Sequence, residues 1–293
     1  MENVAGILGR GKGRVMTFDN VGNAGSPIGV FDSGVGGLTV VKEIMHQMPN
    51  EKIVYFGDTA RVPYGSKSKD TVTRFSKQIV HFLETFDVKT IVVACNTASA
   101  YALEELEKES PIPIIGVVKP GAKAATDVTR NGKIGVIATE ATISSGIYNE
   151  YITKLNKDVT IYGKACPLFV PLVEEGLLED PVTDEIARRY LTELIDLDID
   201  TLILGCTHYP LIRSTLGKIM GKEVSLVNPA YETALELKEL LEERGLLNDR
   251  HPALGENQYQ FFVSDKAEKF KTFANSIIKY GILSAKTVNI EQY

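Results

Sequence analysis

The chain has 293 residues, of which 44% are hydrophobic and 24% are charged, and its formal net charge at pH 7 is −6. This composition is that of a globular protein with a large core, and it excludes a disordered, collagen-like or coiled-coil chain. The negative charge disfavours nucleic acid and anionic membranes as partners, and no apolar run reaches the roughly 20 residues of a membrane span. Three cysteines, an odd number in a chain of this length, favour a reducing cytoplasmic location in which each cysteine is a free thiol.

In chain order, residues 1–26 come first, rich in glycine and with a short basic stretch at 9–14, and we expect them to form a flexible N-terminal extension. From residue 27 onwards, short runs of β-branched and aromatic residues alternate with stretches of helical period, a pattern typical of βαβ units in a parallel sheet. The predicted strands are 28–31, 53–56, 91–94, 112–118, 134–138, 159–162, 202–204, 224–227 and 260–263.

The chain contains an internal repeat. Residues 86–97 align with residues 197–208 at a constant offset of 111, which superimposes Cys95 on Cys206, and residues 28–33 align with 134–139 at an offset of 106. The repeat predicts an α/β fold of two pseudo-symmetric lobes with mostly parallel sheets and an active site in the interlobe cleft. We assign 27–118 and 229–293 to the first lobe, and 119–228 to the second.

The two repeated cysteines each follow a predicted strand and precede a helix, the place where parallel α/β sheets bind ligands. Two thiols on opposite sides of a ligand suit the inversion of a stereocentre that carries an acidic hydrogen. One thiol removes the proton from one face while the other delivers a proton to the opposite face. Two other interpretations remain. The cysteines could be a pair of buried apolar residues, or they could bind a metal, although the sequence has neither CxxC spacing nor a clustered histidine.

Two loops belong to the same strand ends. The glycine-rich segment 32–37 follows the first strand and permits a tight turn whose backbone amides can hold an anion. As a dinucleotide fingerprint this segment would need glycine at position 39, which is Thr39, although Asp58 stands where a ribose-binding acid is expected. A nicotinamide enzyme therefore remains an alternative. The polar segment 57–65 is either part of the site or an ordinary surface loop.

Five motifs together resemble the glutamate racemases of the aspartate/glutamate racemase superfamily: FDSGVGGLTV (31–40), GDTARVPYG (57–65), ACNTASA (94–100), CPLFVPLVEEG (166–176) and LGCTHYP (204–210). The resemblance runs in order from about residue 27 to the C-terminus. It implies that two doubly wound lobes enclose glutamate and that two cysteine bases racemise it without a cofactor or a metal. It further implies a homodimer that supplies D-glutamate for peptidoglycan synthesis.

The resemblance also assigns roles to residues. Cys95 would deprotonate D-glutamate with assistance from Asp32, and Cys206 would deprotonate L-glutamate with assistance from His208. Asp58 and Glu174 match family positions near the site and are further catalytic candidates. The substrate-binding residues would be Asp32, Ser33, Tyr64, Gly65, Asn96, Thr97, Thr207 and His208.

Other residues depart from the family pattern or carry no chemical signal. Val62 stands where the family often has cysteine, Lys119 where an acidic residue is expected, and Asn228 where aspartate is common. The residues for which we expect only a packing or surface role are Cys166, His46, His81 and His251. An N-terminal extension is linked in some relatives to activation by a cell-wall precursor, so residues 1–26 leave such regulation open.

Three rival functions follow from the same motifs. A racemase for aspartate or another small amino acid is the nearest, and the 57–65 loop favours glutamate over it. A cysteine lyase or decarboxylase would typically keep one of the two thiols, whereas this chain has both. A periplasmic-type two-lobed binding protein has no need of paired thiols.

Overall fold

The structure, a computed structural model, describes residues 22–250, 258–278 and 284–293. Its strands are β1 (Ile28–Asp32), β2 (Ile53–Gly57), β3 (Thr90–Val93), β4 (Ile114–Gly116), β5 (Lys133–Ala138), β6 (Thr160–Ala165), β7 (Thr201–Gly205), β8 (Ser225–Val227), β9 (Tyr259–Val263) and β10 (Lys286–Thr287). They form two parallel sheets, one in the order β10-β9-β2-β1-β3-β4 and one in the order β6-β5-β7-β8. The predicted fold class is confirmed.

Helices connect successive strands, as right-handed crossovers in parallel sheets require. They are α1 (Leu38–Gln47), α2 (Lys69–Glu84), α3 (Asn96–Tyr101), α4 (Leu103–Glu109), α5 (Val118–Val128), α6 (Glu140–Ser144), α7 (Ile147–Leu155), α8 (Phe169–Glu174), α9 (Pro181–Asp196), α10 (Arg213–Met220), α11 (Pro229–Glu243) and α12 (Ala267–Ile277). None of the helices in the described ranges combines the length and apolar character that a membrane crossing requires.

Several helices begin at a side chain that accepts a hydrogen bond from a free backbone N–H of the first turn, which stabilises the helix start. Ser68 does this for α2, Thr139 for α6, Asp180 for α9 and Asn228 for α11. Asn228 therefore has a local role as a helix cap, and its side-chain oxygen lies 3.1 Å from the backbone nitrogen of Ala230.

The first sheet is covered on both faces. Val30 belongs to the apolar cluster that includes residues of α1 and α11, whereas its neighbour Phe31 belongs to the cluster that includes residues of α2. Side chains alternate between the faces of a strand, so a strand buried on both sides must be apolar at every position. This is why β1, β2 and β3, at the centre of this sheet, appear in the sequence as nearly continuous apolar runs.

All nine predicted strands are present, with ends displaced by a few residues. The largest difference concerns the prediction over 112–118, because β4 ends at Gly116 and α5 begins at Val118. The tenth strand, β10, was not predicted. It is a two-residue, exposed strand at the sheet edge, too short to carry an apolar period.

The internal repeat is structural and in register. Ile28 of β1 pairs with Thr90 of β3, and Ile134 of β5 pairs with Thr201 of β7, the positions related by the two offsets. The glycine that follows each isoleucine packs closely against equivalent side chains: Leu83, Val88 and Ile91 around Gly29, and Leu194, Ile199 and Leu202 around Gly135. The two sheets are therefore copies of one packing scheme.

The C-terminal part of the chain adds to the first sheet. Strand β9 pairs with β2, and helix α11 packs against α1, while α5 packs against α7 and β7 of the second sheet. This path agrees with a chain that returns to the first lobe, and the lobe boundaries at 118/119 and 228/229 stay predictions.

The predicted N-terminal extension lies outside the described residues as far as position 21. Within the described residues, positions 23–26 form a turn in which Ser26 is buried and its backbone N–H donates to the carbonyl of Asn23. The carbonyl of Ala24 accepts a hydrogen bond of 2.8 Å from the buried Lys89 ammonium. This contact holds the turn against the first lobe, and the boundary of the extension at residue 26 stays a prediction.

Candidate active site

A cavity of about 420 Å³ lies between the two sheets, at the carboxyl ends of their strands. Parallel α/β sheets bind ligands at this edge because loops and helix N-termini converge there. Ten of the predicted site residues line the cavity: Ser33, Tyr64, Gly65, Cys95, Asn96, Thr97, Glu174, Cys206, Thr207 and His208. The repeat therefore delivers one thiol from each lobe to a single cavity.

Cys95 is the residue between β3 and α3, and its side chain is 5% exposed. Its thiol lies 3.6 Å from the Ser33 hydroxyl and donates a hydrogen bond to it. Burial, together with the charge of Asp32, raises the pKa of Cys95 to about 12, against the lowering effects of the Ala98 N–H and Ser33. Cys95 is therefore a thiol at neutral pH.

Asp32 ends β1 and is completely buried. Its carboxylate accepts hydrogen bonds from the Gly34 N–H at 3.0 Å and from the Thr207 hydroxyl at 3.3 Å. Burial raises the pKa of Asp32, and the charge of His208 opposes this shift. Asp32 is not among the residues that line the cavity. Asp32 lies behind the cavity wall, where its charge raises the pKa of Cys95 and its carboxylate accepts the hydrogen bond from Thr207.

On the opposite side, Cys206 follows β7 and begins a row of three interacting side chains. The Cys206 sulfur lies 3.8 Å from Nδ1 of His208, and Nε2 of His208 lies 3.0 Å from the Glu174 carboxylate. Burial by itself lowers the pKa of His208, but the contacts with Cys206 and Glu174 and the charge of Asp32 raise it to about 10. His208 is thus an imidazolium that donates from both ring nitrogens.

Glu174 is the last residue of α8 and its side chain is 31% exposed. The hydrogen bond from His208 lowers the pKa of Glu174, against the effect of burial, so the carboxylate is charged beside the charged ring. Charge-assisted hydrogen bonds of this kind fix ring orientation as well as charge. Glu174 therefore holds the imidazolium that faces Cys206.

Asn96 and Thr97 of the first lobe are supported by the second lobe. The Tyr148 hydroxyl donates to the side-chain oxygen of Asn96 at 2.7 Å. The Thr97 hydroxyl lies 2.9 Å from that of Thr139 and 3.2 Å from that of Thr142. These predicted substrate-binding groups are therefore oriented by contacts across the cleft.

Asp58 lies behind the cavity wall. Its carboxylate accepts from the buried Tyr64 hydroxyl, from Arg61 at 2.7 Å and from Ser264 at 2.8 Å. It does not line the cavity, whereas Tyr64 does. The structure thus places Asp58 as a support for the 57–65 loop rather than as a group that reaches a ligand.

Several cavity residues were not predicted from the sequence: Thr139, Glu140, Pro167, Val170 and Pro171. The repeat offered a signal for Thr139, which aligns with Ser33 at the offset of 106. Pro167, Val170 and Pro171 belong to the motif CPLFVPLVEEG (166–176), but their residue types carry no chemical signal of their own.

The residues without a predicted chemical role do not line the cavity where the structure describes them. Cys166 is completely buried among Phe169, Tyr209 and other apolar residues of the second lobe, and burial raises its pKa well above the usual range. His46 and His81 are exposed. His251 lies outside the described residues.

Lys119 and Val62 have different surroundings. Lys119 forms an ion pair of 3.2 Å with Glu107 of α4 and lies 5.7 Å above the ring of Tyr151 of α7, so it links helices of the two lobes outside the cavity. Val62 lines the cavity wall and is 42% exposed. In the described ranges, no group of three or more His, Cys, Asp or Glu side chains is arranged to hold a metal ion.

Fold and site together define a class of two-lobed α/β proteins in which each lobe presents one thiol to a shared cavity. Residues 28–235 match the Asp/Glu/hydantoin racemase family. The chain belongs to this family, and it is an amino-acid racemase, an enzyme of the isomerase class.

Similar proteins agree with this assignment. The chain is 50% identical over 251 residues to the glutamate racemase of Geobacter metallireducens, covering 86% of this chain and 92% of that one. A crystal structure of a Bacillus anthracis glutamate racemase superimposes with a TM-score of 0.85 at 43% identity, covering 90% of this chain and 97% of that one. The Francisella tularensis glutamate racemase, solved in complex with D-glutamate, has a TM-score of 0.85 at 39% identity and coverages of 92% and 100%.

Proposed function

We propose that this protein is a glutamate racemase that interconverts L- and D-glutamate with two cysteine bases and no cofactor. The observation that carries the proposal is the pair Cys95 and Cys206, at equivalent strand ends of two repeated lobes, both lining one cavity. Support for glutamate as the substrate comes from the relatives named above, one of which was solved with D-glutamate bound.

Each base acts on one enantiomer. With D-glutamate, Cys95 as a thiolate takes the α-proton, and the Cys206 thiol gives its proton to the opposite face, which leaves L-glutamate and a Cys206 thiolate. With L-glutamate the two roles are exchanged. One proton is taken and one is given in each turnover, so no external acid or base is consumed.

The two sides of the cavity supply this chemistry differently. The His208 imidazolium, 3.8 Å from the Cys206 sulfur, stabilises negative charge on that sulfur. In the part of the chain that the structure describes, no cationic side chain acts on Cys95 as His208 does on Cys206, and burial keeps Cys95 protonated. The α-ammonium group of glutamate brings a positive charge into the cavity, and an opposite charge nearby favours a thiolate. We therefore propose that Cys95 becomes a base only once the substrate is bound.

The remaining cavity groups suit the polar ends of the substrate. Hydroxyl, amide and backbone N–H groups at Ser33, Gly65, Asn96, Thr97 and Thr207 provide donors for two carboxylates and acceptors for one ammonium group. Pro167, Val170 and Pro171 line another part of the same cavity. Fixed donors stabilise the negative charge that develops when the α-proton leaves.

Circular dichroism of the purified protein with each enantiomer tests the proposal directly. The signal from L-glutamate and that from D-glutamate should both decay to zero, and the aspartates should keep theirs. Decay with aspartate alone would assign the enzyme to that substrate instead. Activity that is lost on dialysis and restored by pyridoxal phosphate would contradict the cofactor-free mechanism.

Cysteine variants test the two bases. Cys95→Ala and Cys206→Ala should each lose racemisation while remaining folded, because either substitution removes the only base on one face. Cys166→Ala is the matched control, a third buried cysteine outside the cavity, and should stay active. Full activity in either of the first two variants would refute the two-base mechanism.

The cellular role is proposed on the same basis. We propose that the enzyme works as a homodimer in the cytoplasm and supplies D-glutamate for peptidoglycan synthesis. Expression in a bacterium that requires external D-glutamate should remove that requirement, and the Cys206→Ala variant should not. Sedimentation velocity would give the oligomeric state.

A further inference from the structure

The turn that carries Cys206 and His208 is fastened to the first lobe by a residue that does not line the cavity. Thr39 is the second residue of α1 and is 5% exposed. Its hydroxyl lies 2.9 Å from the carbonyl oxygen of Thr207, across the interface between the lobes. Thr207 stands between the proposed base and its imidazolium partner.

The Thr207 carbonyl needs this donor because its own turn cannot supply one. After Thr207 the chain forms a 3₁₀ turn over Tyr209–Ile212, in which a carbonyl accepts from the residue three positions on. For Thr207 that residue is Pro210, which has no N–H. The next N–H, that of Leu211, donates to the carbonyl of His208 and not to that of Thr207. A buried carbonyl left without a donor is costly, and Thr39 provides the missing bond.

The Thr39 hydroxyl also lies 2.9 Å from the Gly36 carbonyl, but that carbonyl already accepts the backbone N–H of Thr39 at 3.0 Å. The hydroxyl has one proton to donate, and the Thr207 carbonyl is the acceptor that lacks another donor within its turn. We therefore infer that the Thr39 hydroxyl donates its proton to the Thr207 carbonyl, across the interface.

A second bond reinforces the first. The Thr207 hydroxyl donates to the Asp32 carboxylate at 3.3 Å, so one residue of the second lobe is held through both its carbonyl and its side chain. The fit is also tight: a Cβ atom on Gly36 would lie 2.5 Å from Nδ1 of His208. The positions of the Cys206 and His208 side chains thus depend on contacts made by the first lobe.

We propose that Thr39 is a positioning residue for the Cys206 half of the reaction. This inference rests on the proposed function. Thr39 does not line the cavity, and it acts by holding the Thr207 carbonyl and with it the turn between Cys206 and His208. Losing the hydroxyl slows proton transfer at Cys206 and leaves proton transfer at Cys95 unchanged.

The variant Thr39→Val keeps the branched shape and removes the donor. Because the two enantiomers have equal free energy, kcat/KM must fall by the same factor in both directions, and we expect about a tenfold loss, since misplacement by about 1 Å costs up to about 100-fold. The rate alone cannot identify the affected base. Isotope effects can, because each enantiomer gives its α-hydrogen to a different cysteine.

The experiment measures the isotope effect on kcat/KM with α-deuterated L-glutamate and with α-deuterated D-glutamate. In Thr39→Val the effect with the L-enantiomer should rise, because transfer to Cys206 becomes more rate-limiting, and the effect with the D-enantiomer should fall. Thr39→Ser keeps a hydroxyl and should restore kcat/KM to within about twofold of wild type. Thr233→Val is the matched control, a buried threonine whose hydroxyl donates within α11, and should leave both effects unchanged.

The outcomes separate the two proposals. A wild-type protein that racemises neither glutamate enantiomer contradicts the proposed function. With an active wild type, a Thr39→Val variant within twofold of wild-type kcat/KM overturns the positioning role. A loss of rate with both isotope effects unchanged, or with both changed equally, overturns it too, because a general structural defect has that result.

Discussion

A methyl group added at Gly36 would enter a close contact between the two lobes at the proposed site. The Cβ of Gly36→Ala would lie 2.3 Å from the Thr207 hydroxyl oxygen and 2.5 Å from Nδ1 of His208, where ordinary van der Waals contact begins at 3.4 Å. The backbone of Gly36 is outside the left-handed region, so alanine meets no conformational penalty there. The substitution therefore perturbs the contact alone.

The magnitude follows from the distances. Restoring an ordinary contact requires the Thr207–His208 turn to move by about 1 Å, and misplacement of that size costs about 100-fold in rate. Overpacking of this kind costs about 1–3 kcal/mol of folding free energy. We expect Gly36→Ala to remain folded and to lose about 100-fold in kcat/KM with both glutamate enantiomers.

The assay is polarimetric or circular-dichroism racemisation at 25 °C, with urea denaturation on the same samples. Gly217→Ala is the control, because this helical glycine has space for a Cβ, which would lie 3.6 Å from Leu226. It should keep its activity and gain up to about 1 kcal/mol in stability. A Gly36→Ala enzyme with wild-type kcat/KM would show that the contact between Gly36 and the His208 turn does not position the reacting groups.

Two further predictions concern buried charges. Lys89 and Glu51 form a completely buried ion pair. Lys89→Met should lower the free energy of unfolding, measured by urea denaturation, by about 3–5 kcal/mol, because it leaves the buried carboxylate without its cation. Adding Glu51→Leu should recover much of this loss, and a double variant as unstable as the single one would contradict the prediction. The pKa of His208, raised above its ordinary value of 6.5 to about 10, adds stability that is complete below pH 6.5 and is lost as the pH rises towards 10. Glu174→Gln should lower this pKa, seen by NMR of labelled histidine, and flatten the loss of stability between pH 6.5 and 10. An unchanged His208 titration would refute the role of Glu174.

The strands show what a single sequence could decide. Strands β1, β2, β3 and β7 were predictable because each is buried on both faces, and such a strand leaves a nearly continuous apolar run in the sequence. The edge strand β6 is partly exposed, and its β-branched and aromatic residues were the signal instead. The short exposed strand β10 carries no such run, since only its backbone pairing defines it. The two repeat offsets relate the pairing of β1 with β3 to that of β5 with β7, but the register of each pair is defined by the structure alone.

The site divides along the same line. Cys95 and Cys206 were predictable because a repeat places equivalent residues at equivalent strand ends. The sequence does not show that the Asp58 carboxylate accepts hydrogen bonds from Tyr64, Arg61 and Ser264. Ser264 in particular is distant in the chain and reaches Asp58 only because β9 pairs with β2.

The sequence by itself determined the two lobes, the two thiols and the strand ends on which they lie, because these depend on apolar period and internal alignment. Only the tertiary structure decided how one lobe supports the chemistry of the other. The hydrogen bonds that Thr207 forms with Thr39 and with Asp32 join residues more than 160 positions apart. Such bonds depend on how the lobes are packed, and packing between lobes leaves no period in the sequence of either one.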